Sequence, residues 1–180
     1  VYIRPNGARI QQYREEHTHL EKQRQALLAA EETRTCKTLD GHEVPVLANI
    51  ELPVEVSHSL KISVQGVGLY RTEYLFLNRN NLPSEEEQFQ AYAQGAAARK
   101  PRPVTLRTRD IGGDKLVSQF HHARESNPQL GWRAIRFCLE RPDIFKAQLR
   151  AMLRASVYGN VQIMFPLISG LEELRQVKEV

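Results

Sequence analysis

Four short apolar runs, each followed by a helical pattern, constrain the fold of this chain more than any other feature of its sequence. The runs cover residues 46–50, 66–70, 104–107 and 161–165. Each run is continuously apolar rather than alternating, which is typical of parallel strands covered by helices on their faces. The sequence therefore predicts an α/β fold.

The segments between these runs carry helix start signals. Pro53 is suited to the first turn of a helix, and Ser84 with Glu87 forms the pattern of a capping box. Further helical patterns cover residues 131–139 and 143–155, and a closing amphipathic helix contains Leu171, Leu174 and Val177. Four strand–helix units amount to about half of an eight-stranded (β/α)8 TIM-type barrel, although an open doubly wound sheet has the same pattern.

A long helix and a tight turn precede these units. Residues 8–32 lack Pro and Gly, and their narrow apolar stripe predicts a connecting helix that lies on another surface. The pair Asp40-Gly41 predicts a two-residue hairpin turn flanked by short strands, because both central positions of that turn favour positive φ. We therefore predict a connecting helix over residues 1–34 and the strand–helix domain over residues 35–180.

Composition and charge exclude several classes of function. The formal net charge is +4, but Lys and Arg are spread among acidic residues, and no nucleic-acid-binding module is present. No charged-then-apolar leader or long apolar run occurs, and the only cysteines, Cys36 and Cys138, lack metal-ligand spacing. We expect a reduced, cytoplasmic protein that binds neither nucleic acid nor membranes.

Three arginines stand where a ligand of a parallel α/β fold would bind. Arg71 follows the second strand, Arg107 ends the third, and Arg133 opens the helical pattern after 127–128. Ligands bind at the carboxyl ends of such strands, and the planar guanidinium group donates paired hydrogen bonds to phosphate and carboxylate. The pattern predicts a small anionic substrate held by these three side chains, with Arg109 and Arg136 turned elsewhere.

A structural interpretation of the same arginines remains open. Each could pair with a nearby acidic side chain and hold a loop in place, the candidates being Glu73, Asp110 and Asp114. Glu73 and Asp110 could equally aim Arg71 and Arg107 at a ligand. Gly112-Gly113 could cradle a phosphate with backbone N–H groups or form a plain turn.

Several long strings resemble one enzyme family. GVGLYRTEYLF (66–76), LPSEEEQF (82–89), VTLRTRDIGGDK (104–115) and NPQLGWRAIR (127–136) resemble enzyme I, the phosphoenolpyruvate–protein phosphotransferase of the bacterial phosphotransferase system. The resemblance continues through QLRAMLRAS (148–156) and IMFPLIS (163–169) and covers nearly the whole chain. It implies the first half of a phosphoenolpyruvate-binding (β/α)8 barrel.

The resemblance also implies roles for particular residues. By their motifs, Arg71, Arg107 and Arg133 correspond to substrate-binding arginines of the family. The family transfers phosphate from phosphoenolpyruvate, with Mg²⁺, to a histidine of its own and then to a histidine phosphocarrier protein. Its acceptor histidine would lie upstream of this chain, and its catalytic cysteine and Mg²⁺ ligands beyond Val180. We therefore expect no catalytic residue and no metal ligand in this chain, which should be inactive alone, and a homodimer for the full-length protein.

The remaining candidate residues receive structural interpretations. We expect both cysteines to be inert, Trp132 to pack rather than stack on substrate, and every histidine to be solvated or structural: His17, His19, His42, His58, His121 and His122.

Two alternative functions are compatible with the sequence. One is a barrel segment of pyruvate phosphate dikinase or phosphoenolpyruvate synthase, whose barrels share an Arg-Thr-Glu strand end. The other is a non-catalytic binding or dimerisation module.

Overall fold

The computed structural model describes residues 6–31, 36–60, 64–77, 79, 81–111, 127 and 131–180. They form two compact units, one within Val1–Pro45 and the other composed of Val46–Leu60 and Val64–Val180. The sheet and the candidate site both belong to the second unit.

The described part of the chain alternates between strands and helices, as its apolar runs predict. The helices are α1 (Gly7–Glu31), α2 (Pro53–Ser59), α3 (Glu85–Arg99), α4 (Ala134–Glu140), α5 (Pro142–Ala155) and α6 (Leu171–Glu179), with a 3-10 helix at Glu73–Phe76. The strands are β1 (Ala48–Ile50), β2 (Val67–Tyr70), β3 (Pro103–Arg107) and β4 (Asn160–Met164). All four pair in parallel in the order β1-β2-β3-β4, which confirms the α/β class.

One face of the sheet packs against helices. Val104 and Leu106 of β3 are fully buried in a core that α2, α3 and α5 also line, whereas the residues that alternate with them are only partly buried. On β4, Gln162 and Met164 are exposed, and the Gln162 Oε1 atom lies 3.1 Å from the hydroxyl of Thr105. The second face of the sheet at β3 and β4 is therefore more open than the first.

The first strand is shorter than its apolar run. The register between β1 and β2 shifts between Ala48 and Asn49, and Val46 is bonded to Gln65 instead, with its N–H donating to the Gln65 side chain at 3.0 Å. An apolar run specifies burial, but not the residue at which the backbone ladder begins.

The helix starts follow their local signals. Ser84 caps α3, since its hydroxyl accepts from Glu87 N at 3.1 Å while the Glu87 carboxylate accepts from Ser84 N at 2.7 Å. These bonds satisfy N–H groups that a helix start otherwise leaves unpaired. Helix α2 begins at Pro53, as predicted.

The turn at Asp40-Gly41 differs from the prediction. Gly41 N donates to Thr38 O at 2.9 Å, and of the two turn residues only Gly41 has positive φ, at 88°. Thr38 N also bonds His42 O at 2.9 Å, which gives a three-residue loop closed by a left-handed glycine. The predicted flanking strands are not confirmed, because among the described residues beside this turn a single antiparallel bridge joins Lys37 and Glu43.

Helix α1 begins at Gly7, one residue before the stretch 8–32 that predicted it, and Asn6 Oδ1 accepts from Arg9 N at 2.9 Å at its start. The apolar residues of its stripe are all exposed: Ile10, Tyr13, Leu20 and Leu27. The predicted boundary between residues 34 and 35 stays a prediction.

Candidate functional site

The carboxyl ends of the parallel strands bring arginines and acidic residues together at one end of the sheet, which is called the carboxyl edge of the sheet below. Glu51 follows β1, Arg71 follows β2 and Arg107 ends β3. Since Tyr70 pairs with Leu106, the next residues, Arg71 and Arg107, are neighbours across the two strands. Arg71 N donates to Ile50 O at 2.9 Å, so the pairing with β1 extends past the end of β2.

Asp110 brings Arg133 to the same edge. Its Oδ2 atom lies 3.3 Å from Arg107 Nη1, and its Oδ1 atom accepts from Arg133 Nη2 at 2.8 Å and from Arg133 Nε at 3.1 Å. All three side chains are largely buried. A single carboxylate therefore holds two guanidinium groups that are far apart in sequence.

Glu73 orders the same cluster from the 3-10 helix. Its Oε1 atom accepts from Arg107 Nη2 at 3.1 Å and from the backbone N–H of Asp110 at 2.8 Å. Glu73 and Asp110 thus orient Arg107 and Arg133, not Arg71 and Arg107 as the sequence suggested. Arg71 lies 3.9 Å from Glu51, and both of these side chains are about half exposed.

Some polar side-chain atoms at this end of the sheet have no hydrogen-bond partner among the described residues. Arg71 Nε, Arg107 Nε and Glu73 Oε2 are buried and lack a hydrogen-bond partner among the described residues. Buried polar atoms are nearly always paired, so these three atoms are available to a further partner such as water, an ion or a polar ligand.

The other two arginines point elsewhere. Arg109 is only 1% exposed, and its guanidinium carbon lies 4.3 Å from the ring centre of Phe137 and 4.9 Å from that of Phe76. Burial lowers the pKa of Arg109 to about 10, because the charged form loses its hydration. Arg136 donates to Gly131 O at 3.1 Å.

Gln148 was not predicted from the sequence. It lies on α5, is 2% exposed and contacts residues that follow β2 and β3. The signal was a polar residue within the buried stripe of α5, whose other buried members are Phe145, Ala151, Met152 and Ala155.

Other residues have structural surroundings. Trp132 packs edge-on against Phe137 with ring centres 4.8 Å apart, and burial raises the pKa of the neighbouring Cys138 thiol to about 12. Cys36 is exposed. Gly112, Gly113, His121 and His122 lie outside the described residues.

The described residues show neither a cluster of metal-binding side chains nor a membrane-spanning helix. No group of three or more His, Cys, Asp or Glu side chains in this part of the chain stands in an arrangement that would hold a metal ion. Across the described ranges, no helix combines the length and the apolar character that crossing a membrane requires.

Comparison with known proteins adds to this geometry. The sequence profile described as "PEP-utilising enzyme, PEP-binding domain" matches residues 25–180. The chain is similar to proteins named phosphoenolpyruvate-protein phosphotransferase from three bacteria. It is 43% identical to that of Staphylococcus carnosus over 178 residues, which are 99% of this chain. It is 46% identical to that of Geobacillus stearothermophilus and 45% identical to that of Haemophilus influenzae, each over 100% of the chain. The match spans 31% of the length of each relative.

Proposed function

Because this chain belongs to the family of PEP-utilising enzymes, whose PEP-binding domain matches its residues 25–180, we propose that it is the phosphoenolpyruvate-binding segment of a phosphoenolpyruvate–protein phosphotransferase. The relatives that carry this name match it from end to end. The observation that carries the proposal is the arginine cluster at the carboxyl edge of the sheet, where Asp110 joins Arg107 to Arg133 and Arg71 lies beside Arg107.

The strand order supports half of a (β/α)8 barrel. Consecutive strands are neighbours throughout the sheet, whereas a doubly wound sheet reverses its strand order at the ligand site. The open second face at β3 and β4 is the face that would line the inside of a barrel. The ligand would then bind above the carboxyl ends of the strands.

In this proposal, Arg71, Arg107 and Arg133 bind the substrate. A phosphate and a carboxylate both accept paired hydrogen bonds from guanidinium groups, and phosphoryl transfer depends on positioning and charge neutralisation. The unpaired Nε atoms of Arg71 and Arg107 provide donors that the protein itself leaves unused. Glu73 and Asp110 hold the guanidinium planes, and Gly112-Gly113 remains a candidate phosphate cradle.

The complete reaction would involve more than this chain. We propose that the full-length protein transfers phosphate to one of its own histidines and then to a histidine phosphocarrier protein, in the cytoplasm and as a homodimer. Among the described residues, Glu73 and Asp110 pair with arginines, and no group of three or more His, Cys, Asp or Glu side chains stands in an arrangement that would hold Mg²⁺. From the resemblance to enzyme I, we propose that the Mg²⁺ ligands lie beyond Val180.

One observation favours a competing function as a non-catalytic module. Each of the three arginines has an acidic partner within 4 Å, which is also what a loop-holding scaffold requires. Substitution of Arg107 separates the two functions. Lysine keeps the charge and can still pair with Glu73 or Asp110, but it lacks the planar fork that binds phosphate through two bonds.

The test is the Arg107→Lys variant of the protein expressed over its whole reading frame. A lost charge-assisted bond is worth roughly 1.5–3 kcal/mol, so we expect kcat/KM for phosphoenolpyruvate to fall about ten- to a hundredfold. The control is Arg150→Lys, since Arg150 pairs with Glu85 on the helix surface at 3.0 Å and should keep wild-type kinetics. Wild-type kinetics for Arg107→Lys would assign Arg107 to the scaffold. If calorimetry detects no phosphoenolpyruvate binding to the unmodified protein, the proposed function is wrong.

A further inference from the structure

Behind the arginine cluster, the side chain of Gln148 joins three elements of the fold. Its Nε2 atom donates to Thr72 Oγ1 and to the Tyr92 hydroxyl, both at 3.1 Å. Its Oε1 atom accepts from the backbone N–H of Arg109 at 3.0 Å. One amide on α5 therefore contacts the segment after β2, the segment after β3 and helix α3.

The donors and acceptors fix the direction of every bond in this network. The Arg109 N–H can only donate, so the amide oxygen of Gln148 must face it and both amide hydrogens face the hydroxyl groups. Thr72 then uses its single hydrogen to donate to Arg107 O at 2.9 Å. Tyr92 uses its hydrogen toward Gln88 Oε1 at 3.2 Å. Only a side chain with two donors and one acceptor satisfies all three neighbours.

The network acts on the residues that carry the cluster. Thr72 lies between Arg71 and Glu73, and its hydroxyl holds the carbonyl of Arg107. Arg109, whose backbone Gln148 holds, lies directly before Asp110. Movement of either segment would shift Arg107 relative to Asp110 and Glu73.

We propose that Gln148 is a positioning residue for anion binding at this edge, acting through Thr72 and the Arg109 backbone. The proposal rests on the proposed function, because the anion it concerns is phosphoenolpyruvate. Gln148 would not touch the substrate. It would set the distance between the ends of β2 and β3 and hence the spacing of Arg71 and Arg107.

The experiment compares Gln148→Met with Gln148→Glu, using calorimetry with phosphoenolpyruvate and the protein expressed over its whole reading frame. Methionine has a similar volume but no donor, and loss of the aligned geometry should weaken binding about tenfold.

In Gln148→Glu, an ionised glutamate would accept the Thr72 hydrogen and so remove the bond from Thr72 to Arg107 O. A protonated glutamate restores one donor, and burial raises the pKa of a carboxyl group. The deficit of Gln148→Glu relative to wild type should therefore shrink as pH falls, whereas that of Gln148→Met should not.

Thr72 supplies a second pair of variants in case the Gln148 variants fold poorly. Thr72→Val removes the hydroxyl and should weaken binding as Gln148→Met does, whereas Thr72→Ser keeps it and should restore binding. The structural control is Met152→Ala, one turn further along α5 and fully buried, which should lower the melting temperature without a comparable loss of affinity. If Met152→Ala weakens binding as much as Gln148→Met, or if Thr72→Val binds like wild type, the positioning role is refuted.

Amide hydrogen exchange separates this inference from the proposed function, since it needs no ligand. The Arg109 amide should exchange faster in Gln148→Met than in Met152→Ala. If the Arg109 amide exchanges faster in Gln148→Met but the wild type does not bind phosphoenolpyruvate, the proposed function is refuted. The bond between Gln148 and the Arg109 backbone is then still supported. Unchanged exchange at Arg109 would refute the positioning role itself.

Discussion

At the residue scale, Asp110 lies between two guanidinium groups, and this limits what its own substitution can reveal. Removal of its carboxylate would take an acidic partner from Arg107, which keeps Glu73, and from Arg133 at the same time. Damage to binding would follow whether the arginines hold a substrate or only hold a loop. Substitution of Arg107 is therefore more informative, because it changes the geometry of one donor while a positive charge remains.

Arg109 illustrates a different balance of energies. Its guanidinium nitrogens are buried without a hydrogen-bond partner among the described residues, and two aromatic rings lie beside it. Each ring contact is worth up to about 2 kcal/mol, whereas removing an ion from water costs several kcal/mol. The unpaired donors add to that cost. The balance favours an apolar side chain at this position.

We therefore predict that Arg109→Met raises the free energy of unfolding by about 1–4 kcal/mol. In a chain of this size, each kcal/mol should raise the melting temperature by about 2–4 °C. The matched control is Arg99→Met. Arg99 is also buried, at 2% exposed, but its guanidinium donates to Ser59 O at 3.0 Å and to Val64 O at 2.8 Å. Its substitution removes both of these hydrogen bonds, although Val64 O also accepts from Arg102, and it should destabilise the protein. Thermal unfolding of both variants tests this, and a fall in melting temperature for Arg109→Met would contradict it.

At the element scale, the contact between α3 and the turn before β4 depends on a missing side chain. A Cβ atom on Gly159 would lie 2.4 Å from Ala96 O and 2.8 Å from Ala96 C, both backbone atoms of α3. A helix backbone cannot yield as the end of a flexible side chain can, so either α3 or the start of β4 would have to move. Gly159 is therefore required by close packing and not by its φ angle.

We expect Gly159→Ala to lower the free energy of unfolding by about 1–3 kcal/mol, as is usual for overpacking. Gly170→Ala is the control, because Gly170 has φ −162° and an added Cβ would meet nothing within 4 Å. Urea denaturation of the two variants measures the difference. Equal stability of both would show that α3 adjusts without cost.

At the scale of the whole molecule, the chain supplies one part of the proposed site. Its relatives are about three times as long, since the match spans 31% of each. The three arginines are the proposed anion-binding groups, and the described residues include no group of three or more His, Cys, Asp or Glu side chains arranged to hold a metal ion.

Because the chain matches only 31% of the length of these relatives, we predict that the 180-residue chain alone transfers no phosphate from phosphoenolpyruvate to a histidine carrier protein in the presence of Mg²⁺. The measurement is the amount of phosphorylated carrier compared with a reaction that lacks the chain. The protein expressed over its whole reading frame is the positive control. Phosphorylated carrier above background with the chain alone would contradict the expectation.

The sequence by itself determined the elements of this protein and their order. Apolar runs predicted the four strands to within two residues at each end, and Pro53 and the Ser84 capping box marked the starts of α2 and α3. These features were predictable because periodicity and capping act between residues close together in the chain. The positions of Arg71 and Arg107 at the ends of strands were predictable for the same reason, because Arg71 directly follows its apolar run in the sequence and Arg107 ends its own.

Only the tertiary structure decided which side chains meet. Gln148 and Thr72 are 76 residues apart and Arg133 and Asp110 are 23 apart, so no local pattern relates them. The burial of Arg109, two residues after Arg107, likewise follows from the positions of Phe76 and Phe137. A hydrogen bond or ion pair depends on distances of about 3 Å between atoms, and those distances exist only after helices and strands have packed.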